Sequence, residues 1–151
     1  MGQNQKRFKP GQTKSFMQQV AELKASATVE SLAEAGNFQI SFQHLDREQG
    51  QSFGRWQETT KLSEAMETLR NYSARPLRSQ LDGKKFTEYG DFPPDAKTKF
   101  AHPAQVPPDA SWARIHVDGL HCLIGHLVEN TFYLVFLDEN HEFWISELKH
   151  T

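Results

Sequence analysis

The chain has 151 residues, 37% of them hydrophobic and 24% charged, with a formal net charge of −2; this is the balance of one globular domain with a buried core, and it excludes a disordered chain. The near-neutral sum excludes nucleic-acid binding through overall charge, and no apolar run is long enough to span a membrane. The single cysteine, Cys122, excludes an internal disulfide and fits a reducing compartment.

Residues 1–13 are polar, carry Lys6, Arg7 and Lys9, and include Pro10-Gly11. They are expected to form a flexible basic arm ahead of a single α+β domain over residues 14–151. No apolar core follows the basic residues, so the start does not read as a secretory signal, and a soluble cytoplasmic protein is expected. Thr13-Lys14-Ser15 opens a helical pattern with Phe16, Val20 and Leu23 about one turn apart. The Ala-rich residues through Ala35 either continue that helix or form a second short one, ended by Gly36. In NFQISFQHLD, Phe38, Ile40 and Phe42 alternate with Gln39, Ser41 and Gln43, the pattern of a half-buried strand. REQGQSFGRW, punctuated by Gly50 and Gly54, reads as a turn.

ETTKLSEAMETLRNYS is the clearest helix. Leu62, Ala65, Met66, Leu69 and Tyr72 make one apolar stripe, Thr59 or Thr60 is placed to cap it with Glu64 nearby, and Pro76 stops it. From Arg70 to Lys85 five basic residues (Arg70, Arg75, Arg78, Lys84 and Lys85) meet one acid, Asp82. That is a solvated helix end and loop, or a basic edge that a phosphate-bearing partner would prefer. Residues 90–110 contain five prolines and form a long ordered loop, expected to cover the sheet or act as a lid.

The last forty residues form the sheet. Asp118-Gly119 is the strongest hairpin signal, a two-residue type I′ turn, and Glu129-Asn130 is a second two-residue turn. A further turn at Asp138 to His141 precedes a final strand near Glu142 to Ser146. The architecture expected is therefore α+β, with N-terminal helices and one strand packed on a C-terminal antiparallel meander of about four strands.

These turns fix the register. With Asp118-Gly119 as loop, His116 faces His121 and Arg114 faces Leu123; with Glu129-Asn130 as loop, Leu123 faces Phe136 and His121 faces Asp138. Arg114, His116, His121 and Asp138, with His141 beside them, then gather at one end of one face. His126 falls on the other face beside Tyr133, as does Cys122, read as a buried structural thiol. Three chemistries fit the cluster. It is a set of partly solvated, turn-adjacent histidines with Asp138 accepting from His121. Or it is acid–base machinery, in which imidazoles move protons and Arg114 stabilises charge on a phosphate, suited to cleaving RNA through its own 2′-hydroxyl without a metal. Or it is a His/His/Asp metal site.

RIHVDG, CLIGHLVEN, TFYLVFLDEN and HEFW resemble the successive elements of the C-terminal sheet in RelE/ParE-type toxins. RPLRSQLDGKKF is similar to the basic segment that precedes the sheet in that family. The resemblance implies an endoribonuclease acting on mRNA, often at the ribosome, neutralised by an antitoxin protein. By position it implies a phosphate-contacting role for Arg114, an acid–base role for His141, and the terminal aromatic position for Trp144. The leading expectation is thus a metal-independent RelE-like ribonuclease needing no cofactor. Its catalytic candidates are Arg114, His116, His121, Asp138 and His141; its RNA-binding candidates are Arg70, Arg75, Arg78, Lys84, Lys85 and Trp144. Its partners would be RNA or the ribosome and an antitoxin, with no membrane. The alternative is a noncatalytic binding module (antitoxin-like, immunity or phage-defence accessory), whose interface would use Trp56, Trp112 and Trp144. A metal-dependent enzyme with a His/His/Asp site is the third reading.

Overall fold

The computed structural model describes residues 15–26 and 36–146. The chain divides into two units between Leu32 and Ala33, and the described part of the first is helix α1, Phe16–Ser26. Its start is set by a reciprocal pair. Ser15 Oγ accepts from the Gln18 N–H at 3.2 Å, and Gln18 Oε1 accepts from the Ser15 N–H at 3.0 Å. The expected basic arm over residues 1–13 and the Ala-rich stretch at 27–35 lie outside the described residues.

The second unit is α+β. In chain order it holds β1 (Gln39–Ser41), α2 (Phe53–Glu58), α3 (Lys61–Tyr72) and a 3-10 turn at Arg78–Gln80. These are followed by β2 (Phe86–Gly90), a 3-10 turn at Asp95–Lys97, β3 (Ser111–His116), β4 (Cys122–Val128) and β5 (Thr131–Asp138). The strands form one mixed sheet in the order β1-β5-β4-β3-β2, with β1 parallel to β5 and the other pairs antiparallel. No helix among the described residues is long and apolar enough to cross a membrane.

Several local expectations are corrected. β1 joins the edge of the sheet, where the Gln39 N–H donates to the Asn130 carbonyl and locks the strand beside β5. Phe86–Gly90 adds a strand on the opposite edge, and residues 142–146 add none. There the Ile145 N–H donates to the Lys97 carbonyl and the Lys99 N–H to the Glu142 carbonyl, so the backbone pairs with the loop instead. Residues 53–58 are helix, not turn, because Ser52 Oγ accepts the Arg55 N–H at 3.0 Å and caps it. Neither expected threonine caps α3: the Thr59 hydroxyl donates back to carbonyls of α2, and Thr60, at φ 64, makes no side-chain cap bond.

One face of the sheet packs against α2 and α3. Trp56, Ala65, Leu69 and Leu77 bury against Ile115, Leu123, Phe132, Leu134 and Leu137. Met66 of the expected stripe stays exposed. The other face is covered by the proline-rich loop and the C-terminal segment, whose Phe92, Phe100, Val106 and Phe143 lie on Trp112, Ile124 and Phe136. Trp56 and Trp112 are fully buried, which removes them from any interface.

Two one-residue shifts decide which side chains share a face. Asp118-Gly119 is not a two-residue turn, because the Asp118 carboxylate accepts the N–H groups of Leu120 and His121 at 2.8 and 2.7 Å. The Val117 N–H donates to the His121 carbonyl, which closes a three-residue loop, and Gly119 does not take the positive φ of a type I′ turn. His116 therefore opposes Cys122, and Arg114 opposes Ile124. The tight turn at Glu129-Asn130 does form, with Val128 opposite Thr131. A bulge follows: Gly125 opposes Leu134 while Ile124 opposes Phe136, leaving Val135 unpaired across the ladder. Its carbonyl accepts the Asp46 N–H at 2.9 Å instead. Asp138 then opposes Cys122 rather than His121.

Candidate active site

The loop and the bulge shift β4 and β5 by one residue each, so Arg114, His116 and Asp138 stay on one face while Cys122 replaces His121. The His116 and His141 rings lie 5.2 Å apart, centre to centre. Cys122 Sγ is 3.4 Å from His116 Nδ1, and the same nitrogen is 3.0 Å from the Asp118 carbonyl. Because a carbonyl only accepts, that bond puts the proton on Nδ1 and the lone pair on Nε2.

Arg114 crosses the same face. Its Nη1 donates to the Tyr89 hydroxyl at 2.6 Å, and Nη2 donates to the Lys84 carbonyl and to Thr87 Oγ1, each at 3.0 Å. The guanidinium also sits 5.4 Å over the Tyr89 ring, and Trp144 stacks on the same tyrosine at 4.7 Å. Its buried Nε–H has no partner among the described residues.

Asp138 is almost wholly buried, and its oxygens accept from the Glu142 N–H at 2.9 Å and the Phe143 N–H at 2.8 Å. This folds the 139–143 turn back over the sheet, with His141 at φ 58. Asp138 is therefore a positioning residue, and the His/His/Asp ligand set is replaced. One nitrogen from each of His116 and His141 and the sulfur of Cys122 lie within 4.8 Å of one another.

Burial, and after it the charge of Arg114, lowers the pKa of His116, only partly opposed by its bond to Asp118. Near pH 7 His116 is thus a neutral imidazole. Burial and the Asp138 charge push the Cys122 thiol up to about 12, against the pull of Arg114. Burial likewise raises Tyr89 to about 12. Neither is an anion unless something displaces its proton.

His121 is corrected out of the site. Its Nδ1 is 3.1 Å from the Asp118 carboxylate, and its ring meets Trp56 edge-on at 5.3 Å on the helical side of the sheet. Of the six expected RNA-binding residues, Arg75 and Lys85 line an open cleft of about 880 Å³ between α3 and the 117–119 loop, which His116 also reaches. Arg114, Asp138 and His141 do not line it. Arg70 is paired with Glu67 and Arg78 with Glu88, Lys84 contributes its carbonyl to Arg114, and Trp144 covers Tyr89. Tyr89 was missed because FTEYG is short and merges into the proline-rich loop; its Phe-Thr-Glu-Tyr alternation was the available signal.

His126, an outlier by sequence, anchors a second cluster. His44 Nδ1 lies 3.0 Å from His126 Nε2, and the rings of His44, His126 and Tyr133 stack on one another. Burial, then the charges of His44 and His102, lowers His126 to about 4. The native imidazole is neutral over a range in which the unfolded one, near 6.5, takes a proton. Stability from this group is complete above about pH 6.5 and lost as pH falls towards 4, on the order of 3 kcal/mol. Urea unfolding between about pH 7 and about pH 4.5 will show this slope, and His126→Leu will flatten it. An equal slope in the variant would place its origin elsewhere.

Compared with family models, curated proteins and solved structures, the chain matches none, so the geometry of these side chains carries the functional argument.

Proposed function

We propose that the protein is a RelE-like endoribonuclease that cleaves mRNA by metal-independent acid–base chemistry. The observation that carries this reading is the pair of imidazoles, His116 and His141, 5.2 Å apart beside the Arg114 guanidinium. Neutral His116 takes the proton of an RNA 2′-hydroxyl through Nε2 as that oxygen attacks the adjacent phosphorus. His141 gives a proton to the departing 5′-oxygen. Arg114 balances the charge that grows on the phosphorane. The products are a 2′,3′-cyclic phosphate and a 5′-hydroxyl. Arg75 and Lys85 supply positive charge along the cleft that His116 reaches, which suits a polyphosphate backbone.

The test is purified protein incubated with mRNA in EDTA, with and without ribosomes. Cleavage ending in cyclic phosphate is expected in at least one arm. His116→Ala and His141→Ala should each slow it by about 10²–10⁴-fold with the circular dichroism unchanged. Arg114→Ala should slow it by about 10²-fold or more, while His121→Gln should stay within a fewfold of wild type. No cleavage in either arm, or full activity in both histidine variants, would overturn the reading.

A further inference from the structure

We propose that His116, Cys122 and His141 form a three-ligand site for a divalent transition-metal ion of the zinc class, with a fourth position left for water. The three donors come from three places: the end of β3, the start of β4 and the 139–143 turn that Asp138 ties down. Two imidazoles and a thiol are the ligand chemistry that selects zinc over magnesium or calcium. Their donor atoms already lie within 4.8 Å of one another. A tetrahedral zinc with its usual bond lengths holds N and S donors about 3.4–3.6 Å apart, so side-chain rotations of about an ångström complete the site.

The surroundings fit the ion as well as the ligands. Nδ1 is the His116 nitrogen that lies against the thiol, 3.4 Å from Cys122 Sγ, so as the ligand it exchanges its hydrogen bond to the Asp118 carbonyl for the metal. Binding moves the Cys122 thiol proton to solvent and replaces it with the metal–thiolate bond, so one proton is released per ion bound. The thiolate and Asp138 carry two negative charges against the ion, and Arg114, anchored on Tyr89, carries the remaining positive charge of the face. The site stands apart from the ribonuclease reading. Only one consequence rests on that reading: a bound zinc occupies both imidazoles, so zinc would switch the RNA-cleaving chemistry off.

The test uses the full chain, stripped of metal and titrated with Co(II) in the absence of RNA. One equivalent is expected to bind and give the near-ultraviolet charge-transfer band of a cobalt–thiolate, and Zn(II) is expected to displace it. Cys122→Ser should abolish the band, His141→Ala should weaken binding at least tenfold, and His126→Leu should leave both unchanged. Folding of each variant is checked by its thermal transition. A folded wild-type protein that gives no thiolate band, or a band that survives Cys122→Ser, would overturn the proposal. Failure of RNA cleavage with this titration intact would overturn only the ribonuclease reading.

Discussion

Gly125→Ala is expected to be the most damaging single-atom addition in the sheet. A Cβ at Gly125 would sit well inside van der Waals contact of the Tyr133 carbonyl oxygen and 2.9 Å from the Phe132 ring. The Tyr133 oxygen is backbone, and β4 lies between β3 and β5, so neither neighbour can swing away as a surface side chain could. The strands must part at the bulge, where Gly125 opposes Leu134, and Phe132 must leave its place against Phe38 and Phe86. Overpacking of cores costs about 1–3 kcal/mol when side chains can adjust; here backbone must move, and about 4 kcal/mol is expected. For a domain of this size that lowers Tm by about 10 °C or more. Gly119→Ala is the control, since nothing lies within 4 Å of its added carbon and its φ is not positive. A Gly125→Ala protein that melts with wild type would show that the β4–β5 approach is not as close as described.

Asp138→Ala is expected to cost about 3 kcal/mol and to release the C-terminal turn. The carboxylate accepts two main-chain N–H groups, that of Phe143 buried and that of Glu142 partly so, and hydrogen bonds to a charged acceptor contribute roughly 1.5–3 kcal/mol each. Alanine leaves both donors without partners beside Phe143, itself buried against Trp112 and Phe136. Asp138→Asn keeps one acceptor oxygen and should cost about half as much. The sharper measurement is hydrogen exchange at the Glu142 and Phe143 amides, which should accelerate strongly in Asp138→Ala. Because His141 rides on the same turn, the alanine variant should also lose the cobalt–thiolate site. Unchanged exchange at both amides would show that the turn is held by its aromatic packing alone.

The period-2 alternation around Phe38 to Phe42 and the apolar runs through Trp112 to Phe136 marked strands correctly; the runs are continuous because β4 and most of β5 are buried on both faces. The stripe Leu62, Ala65, Leu69 and Tyr72 marked α3 for the corresponding helical reason. The short helix α2 was hidden by Gly50 before it and Gly54 within it, since its start depends on one Ser52 cap and its burial on Trp56 alone. β2 was hidden because five residues of alternation look like loop until a partner strand is present.

The candidate site was legible as residue types near one end of a sheet, and the register decided its membership. Asp118 closed a loop of three residues rather than two because its own carboxylate had two main-chain N–H groups within reach. Val135 bulged where its carbonyl could take the Asp46 N–H from a segment nearly ninety residues earlier. The first is a local choice that DG does not specify, and the second is a long-range bond with no local signature.

By itself, then, the sequence determined the α+β class, the C-terminal strands and the presence of Arg114, His116, Asp138 and His141 at one end of them. Tertiary structure alone decided that Cys122 joins them, that His121 turns away to Trp56 and that His126 pairs with His44. The physical reason is the two-residue period of a strand. Composition and alternation are summed over many residues and survive a slip, whereas the face on which one histidine emerges reverses with a single residue.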